Sequence, residues 1–283
     1  MSWPILAIIS IFTVSIATLL ERVLMKGEES DPISYAIVFQ FALGLISFVF
    51  ALLFGKFVLP NLEGLTLRFI LSAFLWAGAT VFSFKAIKTL SAGELTILTT
   101  SSSVIAMLLG VIFLKELFSL KIAIGALLVF LSIWILNSKK LSFNSKQGVM
   151  FALISAFCAG IAVVNDAFIL KTYEAFSYTA IMSILPGVIL SLLFPKKLAK
   201  TKELLNPKSI KLMFIFCLFY SIQAITYYLA FQNGAPVSQL SPLTKSSIVL
   251  TVILGAIFLN ERKDLMRKII ASLVVTNGAI LLG

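Results

Sequence analysis

No histidine occurs anywhere in the 283 residues. A metal held by imidazole and a hydrolytic triad built on His are therefore excluded as chemistry for this chain. Cysteine is nearly as scarce: Cys158 and Cys217 both fall inside long apolar runs and read as free packing thiols, not a disulfide. Charged residues make up only 12%, and the twelve Asp and Glu do not cluster at one depth, so an enzyme reading lacks a catalytic constellation. No Lys or Arg precedes the first apolar run. That run is also too long for the core of a secretory signal and has no Ala-x-Ala exit, so it reads as a span and not as a cleaved leader.

What the chain has in abundance is hydrocarbon. Sixty per cent of residues are apolar and the mean hydropathy is +1.07, far from the values of water-soluble domains. At about 20 residues per crossing, the apolar runs divide into ten spans, near 3–26, 33–54, 65–89, 93–114, 120–136, 147–171, 176–194, 208–233, 236–259 and 265–282. The connections are mostly short, so the backbone must satisfy its own polar groups inside helices. The fold class is that of an all-α polytopic membrane protein.

One stretch occurs twice. LTILTTSSSVIAMLLGVIFLKE, at 95–116, aligns without a gap on LSPLTKSSIVLTVILGAIFLNE, at 240–261, an offset of 145 residues. Both copies close on Gly-x-Ile-Phe-Leu-x-Glu, Gly110 to Glu116 and Gly255 to Glu261. The same offset pairs Ile16-Ala17 with Ile161-Ala162, Lys26 with Lys171 and Phe69-Ile70 with Phe214-Ile215. The chain is thus read as two five-helix halves, 1–140 and 145–283. Five spans, an odd number, separate equivalent helices, so these cross in opposite directions and the two repeats are inverted.

The net charge of +11 is distributed unevenly. Loops 1–2, 3–4, 5–6, 7–8 and 9–10 carry 17 of the 23 Lys and Arg; Lys56, Arg68, Lys115, Lys121 and Lys171 lie on the other side, with Lys245 inside a span. The positive-inside rule places both termini outside the cytoplasm. The basic loops at 195–211 and 261–268 read as solvated, headgroup-facing segments and not as a nucleic-acid surface.

Lys245 is the residue hardest to assign to packing. It is tenth of the 24 residues of span 9, near the bilayer midplane, where an unpaired Lys costs at least about 2.5–3.5 kcal/mol. It is too deep to snorkel, and the other copy carries Thr100 there, so helix packing does not require the charge. The structural alternative is an ion pair with Asp166 or Glu21. The functional one is a cation offered to a phosphate or carboxylate, or a group that exchanges a proton.

Ser241 and Ser238 share the face of Lys245, as Thr96 and Gly93 share that of Thr100, and this face reads as a cavity wall. The opposite face holds small-residue ladders, Ser102/Ala106/Gly110 and Ser247/Thr251/Gly255, that suit close helix approach. Gln40, Gly44 and Ser47 form a stripe on span 2, Trp76, Thr80 and Ser83 one on span 3, and Tyr220, Gln223 and Tyr227 one on span 8. Lipid offers such groups no partner, so they read as facing protein or a wet cavity; an interfacial aromatic belt is the alternative for the tyrosines. Glu21 and Asp166, equivalent by the repeat, lie towards opposite membrane faces and suit gating or coupling. Glu116 and Glu261 read as solvated helix caps. Pro186-Gly187 suggests a kink in span 7, and spans 5 and 10 read as peripheral supports or a homodimer surface.

Ten spans in two inverted halves, each with its fourth helix ending in Gly-x-Ile-Phe-Leu-x-Glu, resemble the EamA-type drug/metabolite transporters over essentially the whole chain. The resemblance implies alternating access around a central cavity lined by spans 1–4 and 6–9, without a cofactor or metal, in a plasma (inner) membrane. Ser-Pro-Leu-Thr-Lys-Ser-Ser at 241–247 also resembles the ninth-helix lysine segment of nucleotide-sugar and sugar-phosphate carriers, which implies that Lys245 faces an anionic group. Members of the family mostly keep both termini in the cytoplasm, opposite to the charge count. The expected function is secondary transport of a small polar metabolite, anions included, with Lys245, Ser241, Thr100, Gln40, Trp76, Gln223, Tyr227 and Tyr220 at the substrate and Glu21 and Asp166 in coupling or gating. Two alternatives stand beside it: a proton-coupled exporter of cationic or amphipathic compounds, and a lipid scramblase.

Overall fold

A computed structural model describes residues 1–25, 31–55, 57–60, 64–90, 92–137, 145–201, 207–258 and 265–282. Twelve helices make up the described residues: α1 (Trp3–Met25), α2 (Pro32–Phe54), α3 (Thr66–Thr89), α4 (Ala92–Leu114), α5 (Leu120–Asn137), α6 (Lys146–Ile169), α7 (Ala175–Leu193), α8 (Pro195–Ala199), α9 (Pro207–Gln232), α10 (Val237–Thr244), α11 (Ser247–Phe258) and α12 (Leu265–Leu282). Seven of these, α1–α4, α6, α7 and α9, are long and apolar enough to cross a membrane. The 18-residue α5 and α12 reach about 27 Å at 1.5 Å per residue, and α10 with α11 forms the tenth crossing. Glu261 lies outside the described residues, as does the first half of the basic stretch at 261–268.

The inverted repeat is visible in the packing. Equivalent helices α2 and α7 pair antiparallel: Gly44 lies against Ile184, Gln40 against Gly187, and Gly55 against Phe176. The pairs α3–α6 and α1–α9 are exchanged by the 145-residue offset, and so are α4–α6 and α1–α11. Individual contacts obey the same relation. Ser15 Oγ donates to the Ser247 carbonyl at 3.0 Å, while at the equivalent place a Cβ on Gly160 would come within 2.8 Å of the Ser102 carbonyl. Ser155 Oγ donates to Ala79 O, and its counterpart Ser10 donates to Gln223 O, one residue from the strict equivalent.

Gly160 shows how tightly α6 seats on α4, because an added Cβ would also meet Ile105 Cβ and Cγ2 at 2.8 Å. Overpacking of this kind costs about 1–3 kcal/mol. Gly160→Val is expected to lower the melting temperature of the purified protein. An unchanged melt would mean that α4 and α6 separate freely.

Span 9 is not the continuous helix expected from its sequence. It breaks between α10 and α11, at Lys245 and Ser246. Pro242 has no N–H for the Ser238 carbonyl, and the next turn tightens: Lys245 N–H bonds to Pro242 O at 3.1 Å and Ser246 N–H to Leu243 O at 3.0 Å, both three residues back. The Ser241 carbonyl instead accepts from Ser103 Oγ at 3.0 Å and Thr244 Oγ1 at 2.9 Å. The repeat-equivalent of Pro242 is Ile97, and α4 runs unbroken. So does α7, straight through Pro186.

The duplicated closing motif also has a physical role. Lys115 adopts φ 56°, a left-handed conformation that costs a non-Gly residue about 1–2 kcal/mol. This turn brings Glu116 back so that its carboxylate accepts from the N–H groups of Val237 at 2.7 Å and Ser238 at 2.8 Å, at the start of α10. Gly110 makes room, since its missing Cβ would fall 3.0 Å from Glu116 Oε2 and 3.2 Å from Val237 Cβ. Glu116 is therefore not a solvated cap of its own helix. It caps a helix of the other repeat and favours the positive end of that helix. Caps of this kind contribute about 0.5–2 kcal/mol, so Glu116→Ala should lower the melting temperature measurably, and more than Glu174→Ala, which removes the N-cap of α7 from within one repeat.

Candidate functional site

Between the halves lies one chamber of about 900 Å³, with walls from α1–α4, α6, α7, α9, α10 and α11 and none from α5 or α12. The latter two pack on each other, Gly125 against Gly278, and turn Leu127, Leu131, Leu273 and Ile280 outward. The chamber's mouth is rimmed by Glu21 at the end of α1, the exposed Lys88 at the end of α3, and Leu90 and Leu95 about the start of α4. These positions belong to the side of loops 1–2 and 3–4, the side rich in Lys and Arg.

Lys245, Ser241, Gln40, Trp76, Gln223, Tyr220, Tyr227 and Glu21 all line this chamber. The stripe Trp76/Thr80/Ser83 does so as a unit, and Gln40 Nε2 donates to Thr80 Oγ1 at 2.9 Å. Thr100 does not line it. Its hydroxyl donates to Thr96 O at 2.7 Å within a buried wall, and Thr96, Thr99, Ser102 and Ser103 face the chamber instead. The small-residue face of span 9 packs on α1 through Ser15 and also borders the chamber, since Ser247 and Thr251 line it. Among the described residues no hydrogen bond or ion pair engages Lys245 Nζ; the ion pair considered from the sequence, with Asp166, is not formed. The break sets Lys245 directly before the N-terminus of α11, whose Ser247 and Ile248 are also on the wall. Helix N-terminus and ammonium both favour negative charge there.

Asp166 lies outside the chamber and is fully buried. Four donors converge on its carboxylate: Ser72 Oγ at 2.5 Å and Tyr178 OH at 2.6 Å on Oδ1, Trp76 Nε1 at 2.8 Å and Tyr228 OH at 3.0 Å on Oδ2. Trp76 and Tyr228 line the chamber, so the cluster forms its floor and binds α6 to α3, α7 and α9. Next to it, Asn165 accepts from Arg68 Nη1 and donates to Arg68 O and Ser72 Oγ. Beyond the cluster, Tyr173 OH donates to Val58 O, and Gln232 Nε2 to Tyr173 O at 2.7 Å. Among the described residues the side of the termini is thus stitched shut, while the chamber lining reaches the ends of α1 and α3 on the other side. Sequence reasoning missed Ser72, Tyr178 and Tyr228. Their repeat-equivalents are Cys217, Ile33 and Ser83, so the internal comparison carried no signal.

On the open side, Lys197 Nζ meets Asp31 Oδ1 at 2.6 Å, linking α8 to the start of α2. Partial burial opposes the charge of Asp31. The Lys197 ammonium and the Ser34 N–H and hydroxyl outweigh it and hold the carboxyl below its ordinary range.

The EamA-like transporter family matches the sequence twice, over 1–138 and 146–283. The chain belongs to the EamA-like transporter family. A solved structure described only as the crystal structure of a protein superposes with a TM-score of 0.78 at 14% identity, covering 99% of this chain and 97% of that one. At that identity the likeness shows the fold alone. No curated protein matches the sequence. This EamA-like chain is therefore a multi-pass membrane protein of drug/metabolite-transporter type, and its chamber sits between the two matched segments.

Proposed function

We propose that this EamA-like protein is a secondary transporter that carries a small organic anion through the central chamber by alternating access. The observation that carries the reading is Lys245, an ammonium at mid-depth with no protein partner among the described residues, beside the N-terminus of a broken helix. A charge kept there against its insertion cost calls for a ligand of opposite sign. By the charge count the mouth faces the cytoplasm, and the Asp166 cluster holds the outer side closed. The inverted repeat supports an opposite state in which the equivalent carboxylate, Glu21, becomes the closed end. Tyr35, 3% exposed, keeps a buried hydroxyl with no hydrogen-bond partner among the described residues in the present state. An orphaned donor of this kind suits a cluster that forms only when the mouth shuts.

A metabolite screen by thermal shift on purified protein tests the reading, because a ligand that binds only the folded form raises apparent stability. The expected hits are anions, and none of them should stabilise Lys245→Gln. If cations alone stabilise the protein, and only while Glu21 is intact, the exporter of cationic compounds replaces this proposal.

A further inference from the structure

The chamber wall is rich in hydroxyls, several of them tied to the protein's own backbone. Thr99, Ser102, Ser155, Thr179, Ser183 and Thr244 each donate to a main-chain carbonyl, at 2.7–2.9 Å. Trp76 and Tyr228 are engaged by Asp166, and the Gln40 and Gln223 amides each donate to a hydroxyl of a neighbouring helix. The rest of the wall is largely hydrocarbon, with Val14, Leu43, Val163, Met182 and Ile248 among its residues. Among the described lining residues the charged side chains are Lys245 in the depth and Lys88 and Glu21 at the mouth, a formal excess of one positive charge, with the Asp166 carboxylate held beneath the floor by its four donors.

From this we infer that the chamber selects an amphipathic monoanion, one compact charged head on an aromatic or branched apolar body, and discriminates against phosphorylated sugars. The inference rests on the proposed anion transport and names the class of anion. A dianionic phosphate brings twice the charge that the wall balances. The hydroxyls of a sugar gain nothing from the hydrocarbon that makes up much of the wall, and each one buried there without a partner lowers affinity. The apolar body of the monoanion, by contrast, meets hydrocarbon. The ninth-span likeness to sugar-phosphate carriers extends to the lysine and not to the wall around it.

Three probes separate the possibilities: benzenesulfonate, a permanent monoanion; phenyl phosphate, the same body with a dianionic head; and glucose 6-phosphate. Uptake of each is measured in proteoliposomes holding the full chain, with Lys245→Gln and the conservative Lys245→Arg in parallel and melting curves confirming that both variants fold. Benzenesulfonate should be taken up at least tenfold faster than glucose 6-phosphate, with phenyl phosphate between. Its uptake should be lost in the Gln variant and partly restored in the Arg variant. Preference for glucose 6-phosphate with the same Lys245 dependence overturns the inference and leaves anion transport standing. Uptake of all three unchanged by Lys245→Gln overturns the anion site itself, and no benzenesulfonate uptake in the wild type overturns the inference as well.

Discussion

Lys245→Gln is expected to lower the uptake of an organic anion by one to two orders of magnitude while leaving the protein folded. The magnitude follows from what is removed. A hydrogen bond to a charged group contributes about 1.5–3 kcal/mol, and each 1.4 kcal/mol is a factor of about ten. Nothing in the protein depends on the ammonium for its own satisfaction, since Lys245 donates to no side chain among the described residues and Thr100 serves at the same place in the other repeat. The variant therefore removes an unpaired charge from the chamber wall, and its melting temperature should hold or rise. Transport and stability move in opposite directions, a pattern that a merely structural lysine would not give. The measurement is counterflow in proteoliposomes beside thermal unfolding in detergent. A variant that melts earlier and still transports would place Lys245 among the packing residues.

The architecture was legible because it is written in periodicities that lipid enforces. Ten apolar runs and an odd-numbered offset lead to an inverted pair of five-helix halves, and the antiparallel α2–α7 pairing carries that relation in space. Polar stripes on spans 3 and 8 pointed to a common interior because hydrocarbon has nothing to offer Gln223 or Trp76, and both line the chamber. What failed was inference within one helix. Thr100 was assigned to the wall from its register with Lys245, but the register of span 9 changes at the break: i−3 bonding after Pro242 rotates the chain relative to an ideal helix. Pro242 was in plain view, and the break falls there and not at Pro186, where α7 stays intact. A proline ends a membrane helix where neighbouring hydroxyls take over the freed carbonyls, as Ser103 and Thr244 do for Ser241. Ser103 comes from another helix, so local sequence cannot reveal it. Glu116 illustrates the same limit. Its motif was read from the repeat, but its job depends on α10 of the opposite half.

Asp166→Ala is expected to have the largest effect on stability of any single substitution at the chamber. Among the described residues the carboxylate accepts the Trp76 indole N–H and the Ser72, Tyr178 and Tyr228 hydroxyls, and none of these donates elsewhere. Ser72, Tyr178 and Asp166 are fully buried, so water cannot take its place without a rearrangement. A buried donor left unmatched costs about 1–3 kcal/mol. Trp76 and Tyr228 reach the wet chamber and can recover part of the loss, so the net destabilisation should be roughly 3–5 kcal/mol, at the upper end of what single substitutions do. Asp166→Asn is the more informative variant. It keeps one acceptor oxygen and the side-chain volume, but turns an NH₂ towards two donors, so it should fold with a smaller penalty while weakening the tie between α6 and α3, α7 and α9. Since that tie forms the floor, an impermeant thiol reagent applied from the side of the termini should label a cysteine placed at Met182 faster in the Asn background, once Cys158 and Cys217 have been replaced. Labelling at the wild-type rate, with the melting temperature reduced, would make the cluster a packing device and leave closure of that side to Glu116, Tyr173 and Gln232.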